Sequence, residues 1–277
     1  MEQAVATAFV PGHITGFFSA HPAATCAQAG SRGAGITLTD GVEVSVAPGS
    51  GCRLNGDSVS ITAVDDVRTR LGVDAAVDAT TSLPVGAGFG VSGALALGTA
   101  LAANAVFDCG KTENELITMA HCAEVEAGTG LGDVVAQARG GLPIRIDPGS
   151  PSHGRLDGLP ARSQIEYVTF GEVSTEAVLS GDTDQLTRAG ESALSRLLER
   201  PTVEQFMASS RIFAEEADLL TDDVGDAIAA VDSVGGDAAM AMLGNTVFAT
   251  DTGLSAAGYA PQRCRTDACG ARLVDEE

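Results

Sequence analysis

The chain has 277 residues, which is enough for two domains, and 44% of them are hydrophobic, so a full core can form. Its 37 acidic residues outnumber 16 basic ones and give a formal net charge of −21, with Lys111 as the single lysine. So large a negative charge repels nucleic-acid phosphates and anionic membranes, which argues against both as partners. An acidic excess with almost no lysine is typical of a high-salt cytoplasm, where charge repulsion is screened over about 3 Å at 1 M salt.

Cysteine usage and the N-terminal region bear on the compartment. The six cysteines include no C-x-x-C pair, and no histidine lies near the two that are closest in sequence, so we expect buried or unreactive thiols rather than a zinc site or a disulfide framework. The N-terminal region carries Glu2 and only a short apolar run to Val10, so we expect no signal peptide and a soluble, cytoplasmic protein. The cysteines are Cys26, Cys52, Cys109, Cys122, Cys264 and Cys269.

The first sixty residues predict mostly strands. Residues 4–10 read as a first strand, and the proline and glycines of residues 11–18 predict a turn that exposes a histidine and a threonine. Alternating apolar residues then predict hairpin strands around the turns Asp40-Gly41 and Asn55-Gly56, the last strand covering residues 59–63.

A short helix and a strand complete the approach to the most distinctive stretch of the chain. Val64, Val67 and Leu71 fall on one face of the predicted helix. Alternation from Ala75 to Ala79 then predicts a strand that leads into a glycine-rich loop.

The stretch from Leu83 to Phe107 reads LPVGAGFGVSGALALGTALAANAVF. Its first part is a loop of alternating glycines, and its second part is apolar all round, which predicts a buried helix too short to cross a bilayer. Backbone amides converge with the helix dipole where such a loop meets a helix, so we predict a phosphate site. The predicted nucleotide-binding residues are Pro84, Gly86, Gly88, Phe89, Gly90, Val91, Ser92 and Gly93.

Spacing excludes two common phosphate loops. A P-loop needs Lys-Ser/Thr after its last glycine, whereas Val91 and Ser92 follow Gly90 here. A dinucleotide fingerprint needs a G-x-G-x-x-G step and an acidic residue at a strand end, whereas Asp108 lies beyond the helix.

A second glycine-rich loop follows the next predicted helix. Thr112 and Glu115 form a capping box that starts this helix, which runs to Ala127. The loop at residues 128–132 then ends at Asp133, which is either a catalytic carboxylate or an ordinary helix N-cap.

The remainder of the chain predicts a mixed fold. A strand ends at Asp147, and prolines and glycines in residues 148–160 indicate a domain boundary. A strand at residues 165–170, three amphipathic helices over residues 186–234 and a break at Gly244-Asn245 follow, and the tail adds an edge strand. This order predicts an α+β protein with domains at residues 1–158 and 159–277.

Four segments carry a resemblance to a known family: PGHITGFF, GAGFGVSGA, GTGLGDVVAQARGG and MAMLGNTVF. Together they resemble the GHMP small-molecule kinases over nearly the whole chain, and within them the archaeal pantoate kinases. The resemblance implies a ribosomal-protein-like N-terminal domain, a ferredoxin-like C-terminal domain and an active site between them. It also implies ATP and Mg²⁺ as cofactors, and phosphorylation of the 4-hydroxyl of pantoate on the route to coenzyme A.

Three departures from the broad superfamily favour the pantoate branch over galactose or mevalonate kinases. Gly93 replaces the second serine of the usual loop and leaves Ser92 as its one hydroxyl, and Gly244 stands nearly alone in the third motif. The first motif lacks the usual acidic residue after its glycine.

The resemblance implies roles for three acidic or hydroxyl side chains. Magnesium needs one or two protein oxygens, which Ser92 and Glu124 supply, with Glu126 as the alternative carboxylate. Asp133 is expected to act as the general base or as an orienting carboxylate in phosphoryl transfer.

A carboxylate substrate calls for a cation. Arg145 is the preferred candidate because an arginine fork pairs with a carboxylate through two hydrogen bonds, and Arg139 is a weaker alternative. His13, Thr15 and Gly16 are the other predicted substrate-binding residues.

Two alternatives to pantoate phosphorylation stay open from the sequence. One is another GHMP kinase of the mevalonate, shikimate or homoserine type, and the other is a catalytically silent nucleotide-binding regulator. The expected partners are the small-molecule substrate and ATP, with no nucleic acid and no membrane, and a homodimer is compatible with the sequence.

Overall fold

The computed structural model describes residues 4–171 and 184–274, and this part of the chain forms two β-sheets with helices packed on them. The first sheet contains β1 Ala6–His21, β2 Gly30–Pro48, β3 Cys52–Leu54, β4 Asp57–Ser58, β5 Ala75–Thr81, β6 Leu142–Asp147, β7 Arg155–Leu159 and β12 Arg272–Val274. The second contains β8 Gln164–Gly171, β9 Ala238–Ala241, β10 Asn245–Thr250 and β11 Gln262–Arg265.

Eight helices lie in the described residues, and their bounds match most of the predicted ones. They are α1 Thr62–Leu71, α2 Val91–Phe107, α3 Glu113–Ala127, α4 Asp133–Arg139, α5 Asp184–Glu199, α6 Val203–Glu216, α7 Asp222–Ser233 and α8 Gly253–Ala256. The capping box between Thr112 and Glu115 is confirmed. None of the described helices is both long and apolar enough to cross a membrane.

The first sheet has the strand order β12-β1-β2-β5-β3-β4, and β6 pairs with β2 on one side and with β7 on the other. The second has the order β11-β8-β10-β9 and is antiparallel. Strand β7 lies where the sequence indicated a domain boundary, and the tail returns to the edge of the first sheet. A division of the chain at residues 158 and 159 therefore stays a prediction.

The prediction of an exposed turn at residues 11–18 is wrong. Strand β1 runs straight through this segment, and His13 and Thr15 are buried. The prolines and glycines serve instead as irregular points in the pairing with β2, at Pro11/Gly12 and between Thr15 and Phe17. Helices α2 and α5 both pack on β1, and every residue from Val10 to Ser19 is buried, so this part of the strand shows no alternation.

Two further strand predictions need correction. Strand β2 continues through Asp40-Gly41 with a shift in its pairing, so no hairpin forms there. The turn at Asn55-Gly56 is confirmed between β3 and β4, and both of its residues have positive φ, as a two-residue hairpin turn requires. Residues 59–63 are not a strand, however, because Ile61 caps α1.

The prediction of unreactive thiols fails for two cysteines. Cys26, in the loop between β1 and β2, forms a disulfide with Cys122 on α3. The two residues are 96 positions apart, so spacing could not reveal the pair. Cys52 and Cys264 are buried free thiols, as expected.

Candidate active site

The glycine loop takes a backbone path that favours glycine. Gly86, Gly88 and Gly90 have φ of 76°, 89° and 65°, in the left-handed region where a side chain is strained. Gly90 is the N-cap of α2, and Gln137 Nε2 of α4 donates to its carbonyl at 2.9 Å. The glycine loop therefore runs directly into the N-terminus of the buried helix α2, as predicted.

The second sheet presses directly on this loop. A Cβ on Gly88 would lie 3.0 Å from the carbonyl oxygen of Met242, and one on Gly244 would clash with the carbonyl of Ala87. Thr246 Oγ1 also donates to the Ala87 carbonyl at 3.0 Å. Gly244, the single glycine of the third motif, is therefore explained by its close contact with the glycine loop at Ala87.

A cleft of about 640 Å³ opens over the glycine loop. The glycine loop and the start of α2 line it on one side. The C-terminal end of α3 and the turn between β9 and β10 also line it. Pro84 lies just before the loop and does not line the cleft. The Phe89 ring is buried, 4.7 Å from the ring of Tyr167, so its side chain anchors the loop while its carbonyl accepts from the His13 amide.

Ser92 and Glu124 meet at the wall of this cleft. Ser92 Oγ donates to Glu124 Oε1 at 2.6 Å, and Glu124 is 2% exposed. Burial raises the pKa of Glu124 to about 7, with a contribution from the nearby charge of Asp133. Glu126 points elsewhere and pairs with Arg70 at 2.5 Å.

The donor set fits magnesium. A hydroxyl and a carboxylate are hard oxygen ligands, and Mg²⁺ is usually held by one or two carboxylates plus substrate phosphates. The described residues contain no group of three or more His, Cys, Asp or Glu suited to a metal ion. A protein site with few ligands that is completed by a nucleotide is therefore the arrangement that these residues can provide.

Asp133 and His13 form a partly buried pair. His13 Nδ1 donates to Asp133 Oδ1 at 2.7 Å, and Gly132, not Asp133, is the N-cap of α4. The His13 ring is fully buried, and burial lowers its pKa. Burial alone would raise the pKa of Asp133, but the hydrogen bond from His13 and the charge of Arg145 outweigh it and lower that pKa.

Arg145 is the largest fully buried charged side chain of the described residues. It lies on β6, its Nε donates to Ser31 Oγ at 3.1 Å, and its Nη1 is buried without a hydrogen-bond partner in the described part of the chain. Burial lowers the pKa of Arg145, and Asp133 opposes this effect. A Cβ on Gly132 would lie 2.6 Å from Arg145 Nε, so this glycine makes room for the guanidinium.

Arg145 lines a second, smaller pocket that borders the cleft. Thr15, Asp133 and Leu243 line both spaces, so the carboxylate of Asp133 stands at the junction between them. The side chain of Asp133 is 25% exposed, which leaves it accessible there. An anionic acceptor held by Arg145 would therefore lie beside Asp133 and face the glycine loop.

Three predicted substrate residues have other positions. The His13 ring lines neither pocket and is hydrogen-bonded to Asp133 instead. Gly16 lines neither pocket, because it faces α6, where a Cβ would lie 2.6 Å from the Phe206 ring. The weaker candidate Arg139 bonds the Asp157 carbonyl at 2.9 Å, away from the site.

Several residues of the small pocket, among them Ser31 and Leu243, were not predicted from the sequence. Ser31 lies in none of the four motif segments, and Leu243 lies in MAMLGNTVF but has no polar group that would mark it as a site residue. Pairing of β6 with β2 brings Ser31 near Arg145, and the β9–β10 turn brings Leu243 in from the second sheet.

The comparisons with known proteins agree with this geometry. The family model described as the GHMP kinases N terminal domain matches residues 59–141. Pantoate kinase of Methanocaldococcus jannaschii is 35% identical over 87% of this chain and 90% of the relative. Pantoate kinase of Thermococcus kodakarensis is 35% identical, over 87% and 86% of the two chains.

Solved structures give the same result. A phosphotransferase related to the coenzyme A biosynthesis pathway has a TM-score of 0.88 and 30% identity, over 98% of both chains. A homoserine kinase from Cytophaga hutchinsonii has a TM-score of 0.70 and 16% identity, over 99% and 98%, which supports the two-domain fold alone. The chain therefore belongs to the pantoate kinase family, within the GHMP kinases, and is a phosphotransferase.

Proposed function

We propose that this protein transfers the γ-phosphoryl group of ATP to the 4-hydroxyl of pantoate. The observation that carries the proposal is the junction at Asp133, where a small pocket with a buried arginine meets the cleft over a phosphate loop. Phosphoryl transfer depends mainly on positioning and charge stabilisation, which this junction can provide.

The nucleotide is assigned to the larger cleft. Amides between Gly88 and Gly93 and the N-terminus of α2 offer donors to phosphate oxygens. Ser92 and Glu124 are the residues that would hold magnesium, which when bound neutralises charge on the phosphates. A raised pKa suits Glu124 to this role, because its proton leaves readily near neutral pH when a cation replaces it.

Asp133 is assigned to the acceptor hydroxyl. Its lowered pKa keeps it ionised at neutral pH, so it can accept a hydrogen bond from the hydroxyl and take up the proton as the oxygen–phosphorus bond forms. His13 is a positioning residue, since its Nδ1–H fixes one carboxylate oxygen and leaves the other for the substrate.

Arg145 is assigned to the substrate carboxylate. Its buried, unpartnered Nη1 is costly unless a ligand satisfies it, and a carboxylate is the group that a guanidinium binds best. Thr15 and Ser31 line the same pocket and offer hydroxyls to the acid.

The test is an ADP-release assay with ATP, Mg²⁺ and a panel of hydroxy acids, run in molar KCl. We expect pantoate to give the highest kcat/KM and its lactone to be inactive, because the lactone has no carboxylate. Arg145→Lys should raise the KM for pantoate about 10- to 100-fold and leave the KM for ATP unchanged. Arg139→Lys is the matched control and should change neither.

Two results would overturn the assignment. If kcat/KM is higher for mevalonate, shikimate or homoserine than for pantoate, the enzyme acts on a different substrate from the one proposed. ATP binding without ADP release for any acid would support a silent regulator.

The same proposal includes the setting. We propose a cytoplasmic enzyme that is adapted to salt on the order of 1 M, because a net charge of −21 is then screened. Circular dichroism and activity after dialysis into dilute buffer should both fall, and full activity there would contradict the salt adaptation. Sedimentation in the same buffers would test a homodimer.

A further inference from the structure

The small pocket has two chemically different sides. Arg145, Ser31, Thr15 and Asp133 supply charge and hydroxyls, and they match the polar groups of a hydroxy acid. The apolar wall, which we define as Phe18, Leu131 and Leu243, lines the same pocket. A polar acid as small as glycerate has no group to place against such a wall.

Leu243 is held in this position at some cost. Its φ is 65°, in the left-handed region that a leucine seldom adopts. Met242 N donates to the Thr15 carbonyl at 2.9 Å, and Gly244 N donates to the Ala241 carbonyl at 3.3 Å, so the turn is fixed on both sides of the leucine. A glycine would fit this backbone without strain, which indicates that the side chain itself serves the pocket.

The place of Leu243 adds to this argument. It is one of three residues that line both the small pocket and the nucleotide cleft, together with Thr15 and Asp133. The other two carry polar groups suited to the acceptor. Leu243 therefore lies where the pocket of Arg145 meets the cleft, and an acceptor that reaches from Arg145 to the glycine loop would pass it.

We propose that the apolar wall selects acids with a fully substituted carbon between the carboxylate end and the phosphorylated hydroxyl, with Leu243 as the specificity-determining residue. The inference rests on the proposed function, because it concerns the same pocket. The two methyl groups on carbon 3 of pantoate meet this requirement. With the methyl groups absent, the wall would face water or leave part of the pocket unfilled.

The size of the effect follows from apolar recognition. One methylene more or less in a hydrophobic pocket changes kcat/KM by about 10- to 200-fold. Two methyl groups against the wall should therefore favour pantoate over 2,4-dihydroxybutanoate by at least about 100-fold. That compound keeps the carboxylate and both hydroxyls and lacks only the methyl groups.

The experiment compares kcat/KM for the two acids. We expect Leu243→Ala to lower the preference for pantoate at least about tenfold, mainly through a loss on pantoate, because only pantoate contacts the wall. Leu198→Ala, at an exposed position of α5, is the matched control and should keep the wild-type ratio. Leu243→Gly removes the strain as well as the side chain, so its melting temperature should not fall while its preference does.

Each outcome decides the inference. If the wild-type enzyme uses both acids equally well, the apolar wall does not select between them, and the proposed function still stands. Equal preference in wild type and both Leu243 variants would overturn the role of Leu243. Failure of the wild type to phosphorylate either acid would overturn the proposed function, and the inference with it.

Discussion

The two halves of the active site are built from different materials. The nucleotide side consists of backbone held in shape by glycines with positive φ and by one buried helix N-terminus. The acceptor side consists of side chains that are mostly buried, with His13 behind Asp133 and Ser31 beside Arg145. The first half comes from one continuous segment, whereas the second joins distant residues such as His13 and Asp133, which are 120 positions apart.

Because of this difference, we expect the two halves to be sensitive to different kinds of substitution. A backbone site tolerates changes of charge but not of volume, because the loop is wedged against the β9–β10 turn. A side-chain site tolerates small changes of volume but not of charge, because Arg145 and the partly buried Asp133 lie close together where water screens a changed charge poorly. The four predictions below test this contrast, from the largest expected effect to the smallest.

Asp133→Asn tests the acceptor side through charge alone. Asparagine keeps an oxygen that can accept from His13 Nδ1, so the fold should remain intact. The loss of the proton acceptor should reduce kcat about 100- to 10,000-fold, or about 3 to 5 kcal/mol of barrier. Turnover, ATP affinity and melting temperature of the one variant decide the matter, and wild-type turnover would end the assignment of Asp133.

Cys122→Ser tests how far α3, which carries Glu124, depends on its disulfide link to the loop between β1 and β2. Opening a loop of 96 residues should cost about 2 to 4 kcal/mol of unfolding free energy. Denaturation of the wild type with a thiol reductant should reproduce the loss. Cys109→Ser is the control, since Cys109 is a free thiol, and an equal loss there would argue against the disulfide.

Glu124→Gln tests the raised pKa of Glu124, which lies on the nucleotide side but is affected by the charge of Asp133 on the acceptor side. The pKa of Glu124 is raised from 4.5 to about 7 in the folded protein, so the folded state binds more protons than the unfolded state in this range. Its favourable contribution is therefore complete below about pH 4.5 and is lost as the pH rises through 7. Without metal, the variant should gain stability relative to wild type over this window, approaching about 3 kcal/mol.

Magnesium supplies the control for that experiment. At pH 8, Mg²⁺ with a nucleotide should stabilise the wild type more than Glu124→Gln, because the charged carboxylate is a ligand only in the wild type. A difference between the two proteins that does not vary with pH would contradict the raised pKa of Glu124.

Gly88→Ala tests the nucleotide side through volume. Its Cβ would meet the Met242 carbonyl and would also require a strained φ of 89°, so the loop must shift. We expect about 1 to 3 kcal/mol of lost ATP binding, measured as a higher KM for ATP with little change in the KM for pantoate. Gly72→Ala is the matched control, because its φ of 69° is equally left-handed but nothing lies within 4 Å.

The contrast between the halves also explains which features could be predicted from sequence. The glycine loop was predictable because glycine at alternate positions before an apolar helix constrains the backbone locally, and Gly86, Gly88 and Gly90 all have positive φ. The capping box of α3 was predictable for the same reason, since its two hydrogen bonds lie within four residues. Both features depend on residues close together in the sequence and can be predicted without knowing how distant segments pack.

Strand β1 shows where local signals mislead. Its proline and glycines resemble a turn, yet helices packed on the segment make it a buried strand with irregular pairing. The position of His13 follows from this burial, which places its ring against Asp133 rather than in a pocket. Propensity gave way to packing, because the apolar surface that is buried outweighs a preference of about 1 kcal/mol per residue.

The sequence by itself determined the glycine loop and most of the helices, because these depend on contacts between near neighbours, and it supplied the residue types on which the proposed chemistry rests. The sequence favoured Glu124 over Glu126 and Arg145 over Arg139 but excluded neither alternative. Only the tertiary structure decided that Glu124 meets Ser92, that Arg145 lines a pocket with Asp133, and that Leu243 lines the same pocket. Burial separates the alternatives, and burial depends on how β2, β6 and the second sheet come together.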